Sequence, residues 1–318
     1  MSLKNILKSN PVIYGLYKKW KKKRIERAKK NNLKCRKVFI DRSKGKEKLC
    51  VILAGYKEFL YPAVFSRIKR FTPDDVDVCV VTSGLYSQKV HELCEENGWS
   101  YLRTNINNVS LAQNVAISLH PNAKYIYKLD EDIFITEGYF DNLYKAYQHA
   151  TEGLFQPGVM APIIPINGYG HVRVLEKTGL TDYYATRFEP PKYMAGGHRQ
   201  IEGNPEVAKF FWADPRVPSI DELNARFIKE EPREYPCPIR FSIGAVLFER
   251  TLWEDMGYFR VNRRSNAMGD DEVQLCEYCC IQSRPLMVSE NVVVGHLSFG
   301  PQNAHMQEFF LNNTEKFM

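Results

Sequence analysis

The sequence contains no apolar run approaching the roughly eighteen residues that a membrane-spanning helix needs. It has no internal repeat and no low-complexity tract, and its eight cysteines are scattered along the chain. It also lacks the Gly-x-Gly-x-x-Gly and Gly-Lys-Ser/Thr loops that cradle phosphate groups. These absences argue against a transmembrane protein, a repeat protein and a small disulfide-stabilised domain. Any phosphate would have to be held by side chains or by a metal ion.

The N-terminal segment lacks the apolar core of a signal peptide, since Asn10, Pro11 and Gly15 interrupt its only apolar stretch. We therefore expect the chain to stay in the cytoplasm. Residues 1–40 contain fourteen Lys or Arg and one acidic residue, Glu26, whereas the rest of the chain carries 30 basic and 36 acidic residues. A strongly basic arm thus precedes an acidic body.

The basic arm also carries aromatic side chains, because Tyr14, Tyr17 and Trp20 adjoin its polybasic run. This pattern is typical of an amphipathic helix at the surface of an anionic membrane. Residues 1–37 are therefore predicted to bind the inner face of the cell membrane peripherally. A solvated tail and a nucleic-acid-binding segment are the alternatives. We expect no nucleic-acid partner, because the aromatics are not interleaved through the lysine run.

From residue 48 onward, apolar runs of strand length alternate with segments of helical spacing. This alternation predicts an α/β fold with a mostly parallel central sheet, and a ligand site along the carboxyl edge of its strands. The predicted strands include Leu49–Ala54, Val76–Val81 and Trp99–Arg103, and the predicted helices include Tyr61–Phe71, Gln88–Asn97, Leu111–Leu119 and Tyr139–Ala150.

Residues 153–238 hold most of the prolines and many aromatics, and they show little periodicity. So long a stretch inside a compact fold is more often a substrate-shaping insertion than a passive linker. We expect a loop-rich insertion on the acceptor side of a catalytic domain that spans residues 48–318.

Three acidic residues, Asp130, Glu131 and Asp132, stand in the segment YIYKLDEDIFIT, between two runs that are typical of buried strands. Side chains alternate faces along an extended chain, so Asp130 and Asp132 point to one side and Glu131 to the other. Two carboxylates that converge at the end of a buried strand repel each other unless a cation lies between them. The segment therefore predicts a divalent-metal site, with a solvated polar turn as the alternative.

A second acidic group, Asp270-Asp271-Glu272, opens a segment of helical spacing. The helix dipole explains acidic residues in a first turn, but three in succession exceed what capping requires. Further on, Asn291–Gly295 predicts a strand that ends at His296. A histidine there is usually a packing or turn residue, but its place at the carboxyl edge of the sheet makes it a candidate metal ligand.

Four features together resemble the GT-A glycosyltransferases, in particular those of family 2. They are the first strand LCVILAGYKE, the helical segment AQNVAIS, the Asp-x-Asp segment YKLDEDIFI, and the pair GAVLFERTLWEDMGYF and GDDEVQLC. The resemblance covers roughly residues 48–150 and 239–300. It implies a Rossmann-like GT-A fold that binds a nucleotide-sugar donor, with a UDP-sugar favoured.

The resemblance also implies roles for single residues. The metal, Mn²⁺ or Mg²⁺, would be held by Asp130, Asp132 and His296. The nucleotide-sugar would be contacted by Gly55, Tyr56, Asn114, Asp130 and Glu131. Asn114 matches the Asn of the family's Arg-Asn helix, and Gln113 replaces the Arg. The general base falls on Asp271 or Asp270, and the register among Asp270, Asp271 and Glu272 stays open by one residue.

The activity that the resemblance implies is that of a metal-dependent, inverting glycosyltransferase. Its acceptor would be a hydroxyl of a glycan or lipid-linked glycan in bacterial surface polysaccharide or lipopolysaccharide synthesis. Two alternatives stay open. One is a sugar nucleotidyltransferase, although AGYKEF matches its glycine-rich basic loop poorly. The other is a non-catalytic, metal-dependent glycan-binding or scaffold protein on the same fold.

Overall fold

The computed structural model describes residues 11–262 and 269–318. Its strands are β1 (Lys37–Ile40), β2 (Lys48–Ala54), β3 (Val76–Ser83), β4 (Ser100–Thr104), β5 (Tyr125–Asp130), β6 (Ile133–Phe134), β7 (Val159–Ile163), β8 (Glu234–Pro236), β9 (Ala245–Glu249), β10 (Leu286–Val293) and β11 (Gly295–His296).

The helices alternate with these strands along most of the chain. They are α1 (Pro11–Asn31), α2 (Tyr61–Phe71), α3 (Gln88–Asn97), α4 (Val109–Leu119), α5 (Tyr139–Glu152), α6 (Gly170–Thr178), α7 (Thr181–Arg187), α8 (Gln200–Gly203), α9 (Pro205–Ala213), α10 (Ile220–Phe227), α11 (Arg250–Asp255), α12 (Asp270–Ile281) and α13 (Asn303–Asn312).

Within the described residues, nine strands form one sheet in the order β1-β4-β3-β2-β5-β9-β7-β10-β8. The block β4-β3-β2-β5 is parallel, and β7 pairs with β10 in parallel. Strand β9 runs antiparallel between β5 and β7, and the edge strands β1 and β8 also run against their neighbours. Most strands therefore point one way, and the predicted α/β fold with a mostly parallel central sheet is confirmed.

Burial explains why the central strands form where the sequence places them. Every residue of β3 is buried, and β2 is buried along nearly its whole length, as expected for parallel strands covered on both faces. Helix α2 turns Val64, Phe65 and Ile68 inward. Helix α4 packs on β2 and β3 and is buried along most of its length. The predicted bounds of α2 and α3 agree with the structure.

Residues 153–238 differ from the loop-rich insertion that the sequence predicts. Strand β7 belongs to the central sheet, and five helices, α6 to α10, follow it in this part of the described chain. Proline explains the difference, because Pro205 starts α9 at a position where a missing N–H costs nothing. The five helices are short, four to nine residues each, so their periodicity is hard to recognise in the sequence.

Residues 1–10 of the basic arm lie outside the described residues, and the arm then forms helix α1. Leu16 and Trp20, four positions apart, are 62% and 57% exposed. The end of the helix contacts the body, where the Lys29 ammonium lies 5.2 Å from the centre of the Tyr258 ring. In the part of the chain that the structure describes, no helix is long and apolar enough to cross a membrane.

Candidate active site

The acidic segment lies where the topology predicts a ligand site. Strands β2 and β5 are parallel neighbours, and Leu53 lies opposite Asp130 at their carboxyl ends. The chain then turns through Glu131 and Asp132 into β6, which pairs with β11 so that Ile133 lies opposite His296. The crevice outside the carboxyl ends of such strands is the usual binding site of α/β sheets.

Glu131 fixes the loop that follows β2. Its carboxylate accepts hydrogen bonds from the backbone N–H groups of Gly55 at 2.8 Å and Tyr56 at 3.0 Å, and from the Tyr61 hydroxyl at 3.2 Å. Burial raises the pKa of Glu131, and the N–H groups of this loop counteract the rise in part. Gly55 has φ +122°, a conformation that favours glycine. The Glu131 carboxylate thus holds the loop and is itself buried.

Tyr56 is positioned by the same loop. Its hydroxyl donates to the carbonyl oxygen of Ser83 at 2.6 Å, at the end of the neighbouring strand β3. The side chain stays 58% exposed. The ring is exposed beside the crevice, and its contact with a nucleotide-sugar stays a prediction.

Asp132 is buried and contacts two basic side chains. The Lys57 ammonium donates to its Oδ2 atom, and His296 Nε2 lies 3.3 Å from the same oxygen. Burial alone would raise the pKa of Asp132, but the interactions with His296 and Lys57 outweigh it and hold the pKa well below its usual range. The structure therefore joins Asp132 to His296, two residues that the sequence analysis assigns to one metal site.

Asp130 forms an ion pair with a different residue, Lys128. Lys128 Nζ lies 2.7 Å from Asp130 Oδ1 and donates to the carbonyl oxygen of Ile243 at 2.7 Å. Burial raises the pKa of Asp130, the Lys128 ammonium lowers it, and the charges of Asp132 and Asp271 raise it again, so that the net shift is upward. Lys128 precedes Asp130 by two residues on β5 and therefore shares its face.

His296 is held in place by the insertion. The Trp212 indole N–H donates to the carbonyl oxygen of His296 at 3.1 Å, and the Phe299 ring packs edge-on against the imidazole with centroids 4.7 Å apart. Trp212 in turn stacks on Phe317, with ring centroids 4.4 Å apart, and Phe317 is fully buried. The last residues of the chain thus support the candidate metal ligand.

The second acidic group begins α12, close to the first. Asp271 is buried, and Gln113 Nε2 donates to its Oδ2 atom at 2.6 Å. Asp270 is half-buried at the first position of the helix. Gln113, which replaces an Arg in the resembled motif, therefore orients a carboxylate in this structure.

Glu272 lies in an environment that disfavours its charged form. Its Oε1 atom lies 3.0 Å from Arg240 Nε, and its side chain is 18% exposed. Burial raises the pKa of Glu272 to about 7, although Arg240 and Lys128 counteract the rise. Arg240 also lies 3.9 Å from the buried carboxylate of Glu202, which accepts from the backbone N–H of Gly196 at 2.8 Å. A carboxyl group with a pKa near 7 is suited to general-base work.

Asn114 makes contacts of another kind. Its Oδ1 atom accepts from the Trp253 indole at 2.8 Å and from the Phe259 backbone N–H at 2.9 Å. Its Nδ2 atom donates to the carbonyl oxygens of Phe259 at 2.7 Å and Asn32 at 3.3 Å. The side chain is fully buried, so the structure uses Asn114 to join α4, α11 and the basic arm. Both amide atoms of Asn114 are engaged within the protein, so neither is free for the predicted contact with the nucleotide-sugar.

The donor set at Asp132 fits a divalent cation that is shared with a diphosphate. In residues 11–262 and 269–318, no three His, Cys, Asp or Glu side chains lie close enough together to hold a metal ion. The predicted set Asp130, Asp132 and His296 therefore does not come together, and Asp130 pairs instead with Lys128. Mg²⁺ sites commonly use one or two carboxylates and take their remaining ligands from substrate phosphates and water. A carboxylate oxygen and an imidazole nitrogen are suitable ligands for Mn²⁺.

Four residues of the cleft are missing from the sequence prediction: Lys57, Lys128, Glu202 and Arg240. Lys128 was within reach of sequence reasoning, since it stands two positions before Asp130 and alternation places it on the same face. Glu202 and Arg240 carry no local signal, because only tertiary folding brings these two residues together beside α12.

No family model matches the chain, and no curated protein matches it. Many solved structures are similar to it, including the following two. One is residues 1–349 of TarS from S. aureus, with 10% identity, a TM-score of 0.46, and coverage of 82% of this chain and 63% of that chain. The other is the mannosyltransferase PcManGT from Pyrobaculum calidifontis in complex with GDP-Man and Mn²⁺, with 15% identity, a TM-score of 0.48, and coverage of 88% and 66%. The chain spans about two thirds of each.

The raised pKa of Glu272 predicts a pH-dependent stability. Glu272 stays protonated in the folded protein up to about pH 7, whereas in the unfolded chain it ionises near its ordinary pKa of 4.5. The free energy of unfolding of the wild type therefore falls as the pH rises from 4.5 to 7, because the folded protein holds a proton that the unfolded chain has released. Glu272→Gln has no such group, so its advantage in stability over wild type should grow by about 2–3 kcal/mol between pH 4.5 and pH 7, measured by urea unfolding.

Glu277→Gln, on the exposed side of α12, is the matched control and should show no such pH-dependent gain. A stability difference between Glu272→Gln and wild type that stays constant from pH 4.5 to pH 8 would contradict the assignment.

Proposed function

We propose that this protein is a metal-dependent glycosyltransferase that moves a sugar from a nucleotide-diphosphate sugar to an acceptor hydroxyl. One observation carries the proposal. Two acidic segments far apart in the sequence meet at one crevice, where Asp132 is strongly ionised and Glu272 has a pKa of about 7. A charge-compensated carboxylate suits cation and diphosphate binding, and a desolvated carboxylate suits proton abstraction.

The donor site is the crevice outside β2 and β5. Asp132 and His296 would hold Mn²⁺ or Mg²⁺ there, and the cation would neutralise the negative charge that develops on the departing nucleoside diphosphate. The loop at Gly55 and Tyr56 borders this crevice, and Glu131 keeps its backbone in place. A UDP-sugar is the donor that we expect.

Glu272 takes the role of general base in this proposal. Its carboxylate removes the proton of the acceptor hydroxyl as the hydroxyl oxygen forms a bond to the anomeric carbon and the bond from that carbon to the phosphate oxygen breaks. The proton ends on Glu272, and the nucleoside diphosphate leaves as an anion. Attack opposite the leaving group inverts the anomeric centre. Asp271, held by Gln113, lines the same wall and positions the start of α12.

We therefore assign the general base to Glu272, which is one residue after Asp271. The buried Asp271 carboxylate is already engaged by Gln113 at 2.6 Å, whereas Glu272 is paired with Arg240, whose side chain is 48% exposed. Glu272 thus lies nearer to solvent from which an acceptor can enter. Helix α8, which contains Glu202, and helix α9, which follows it, would form part of the acceptor side, which suits a glycan or lipid-linked glycan.

The test is release of nucleoside diphosphate from a panel of UDP-sugars and GDP-sugars, with and without Mn²⁺. Glu272→Gln should lower kcat by about 10²–10⁴-fold while nucleotide binding persists, because only the proton acceptor is lost. Asp132→Asn should abolish the Mn²⁺-dependent release. Glu277→Gln is the control of matched chemistry and should behave as wild type.

Two results would contradict the proposal. If no nucleotide-sugar is cleaved by folded wild-type protein, the glycan-binding alternative is supported. If the protein instead makes a nucleotide-sugar from a sugar phosphate and a nucleoside triphosphate, it is a nucleotidyltransferase. Loss of activity in Glu277→Gln equal to that in Glu272→Gln would remove the assignment of the base.

We further propose that helix α1 binds an anionic membrane surface and brings the protein to a membrane-bound acceptor. Leu16 and Trp20 provide an exposed apolar stripe, and exposed lysines such as Lys18, Lys22 and Lys23 adjoin it. Amphipathic helices of this composition lie in the interface, with aromatic side chains at the level of the headgroups.

Replacing four exposed arm residues, Lys18, Lys19, Lys22 and Lys23, by Gln should weaken binding to phosphatidylserine vesicles by two to three orders of magnitude, at about 1 kcal/mol per lysine. Sedimentation with vesicles at low salt measures this. The control replaces four exposed lysines of the body, Lys145, Lys192, Lys229 and Lys316. Equal losses in the two variants would show that the arm has no special part in binding.

A further inference from the structure

The feature that the proposed function leaves unused is the Lys57 ammonium. It donates to Asp132 Oδ2, the same oxygen that His296 Nε2 approaches at 3.3 Å. It also lies 3.4 Å from Asn303 Oδ1, which accepts from the Ser298 hydroxyl at 2.8 Å. An ammonium group thus occupies a defined polar pocket at the carboxylate that would bind the divalent ion.

The backbone at Lys57 is held in place, whereas its side chain has room to move. The backbone of the loop that carries Lys57 is held by Glu131 through the N–H groups of Gly55 and Tyr56. The Asp132 side chain is 6% exposed and that of Lys57 is 22% exposed. Because the loop backbone is held, Lys57 can leave Asp132 only by rotation about its side-chain bonds, and its partial exposure leaves room toward the cleft.

A divalent cation at Asp132 Oδ2 would lie beside the Lys57 ammonium, and the two positive charges would repel each other strongly at this buried position. Asp132 itself needs a positive partner, since an uncompensated buried carboxylate is unfavourable. One cation therefore has to replace the other. From this geometry we infer that Lys57 and the divalent cation compete for Asp132, so that Lys57 neutralises the site in the metal-free protein and is displaced when the ion binds. The inference rests on the proposed function, because it concerns the metal site named there.

Competition has a measurable consequence. The apparent affinity for the ion is reduced by the fraction of molecules in which Asp132 is available. If Lys57 occupies Asp132 in about nine of ten molecules, the apparent Kd for Mn²⁺ is raised about tenfold. Removing the ammonium should therefore tighten Mn²⁺ binding, whereas removal of an ordinary supporting residue would weaken it.

The experiment is titration of Mn²⁺ alone, by calorimetry, into wild type, Lys57→Met and Lys89→Met. Lys89 is the control, as it forms an exposed 3.7 Å ion pair with Glu58 on the protein surface. We expect Lys57→Met to bind Mn²⁺ about tenfold more tightly than wild type, and Lys89→Met to match wild type. Asp132→Asn in the Lys57→Met background should lose the binding. Equal or weaker binding by Lys57→Met overturns the inference.

A second measurement uses wild type, in case Lys57→Met does not fold. Reductive methylation followed by peptide mass spectrometry reports how readily each lysine reacts. Mn²⁺ should increase the methylation of Lys57 severalfold and leave Lys89 unchanged. No change at Lys57, under conditions where calorimetry shows Mn²⁺ bound, overturns the inference.

These outcomes separate the inference from the proposed function. If Mn²⁺ binds with the same Kd to wild type and Lys57→Met, and nucleotide-sugars are still cleaved, the competition is wrong and the function stands. If neither protein binds Mn²⁺, the inference of competition is wrong. Cleavage of nucleotide-sugars without metal would then show separately whether the protein is a transferase.

Discussion

Carboxylates crowd the carboxyl edge of the central sheet, and each of them has a partner. Asp130 has Lys128, Asp132 has Lys57 and His296, and Glu131 has the backbone N–H groups of the loop after β2. Strands β2 and β5 are already paired with each other, and these contacts attach the loop after β2 and His296 of β11 to their carboxyl ends. The need of buried acids for partners thus helps to position the groups that line the crevice.

The same constraint separates two kinds of acid. At Asp132 the interactions with His296 and Lys57 outweigh burial, so the pKa falls and the group is ready to bind a cation. Where burial outweighs the neighbouring positive charges, as at Glu272, the pKa rises to about 7. A pair of acids whose environments separate their pKa values is the arrangement that acid-base enzymes use to run two tasks at one pH. The proposed function depends on this contrast.

The sequence allowed the sheet and the acidic segment to be predicted, because both have local signals. The buried strands β2 and β3 are continuous apolar runs, and the alternation of side chains placed Glu131 opposite to its neighbours. The partners of the acids could not be predicted in the same way. Glu202 reaches the cleft only through the folding of residues 153–238, where it meets Arg240, and Asn114 looked like a ligand residue although tertiary packing occupies its whole amide. The shortness of the helices, one of them started by Pro205, also hid the periodicity of that region.

The most direct test of the central claim is nucleotide binding measured by thermal shift. Wild type and Asp132→Asn would be heated with UDP or GDP, each with Mn²⁺ or with EDTA, since a bound ligand stabilises the folded state by RT ln(1 + [L]/Kd). The account predicts a rise in Tm for one nucleotide in wild type with Mn²⁺, and no rise with EDTA or in Asp132→Asn. An equal rise in both proteins, or no rise with any nucleotide, would contradict it.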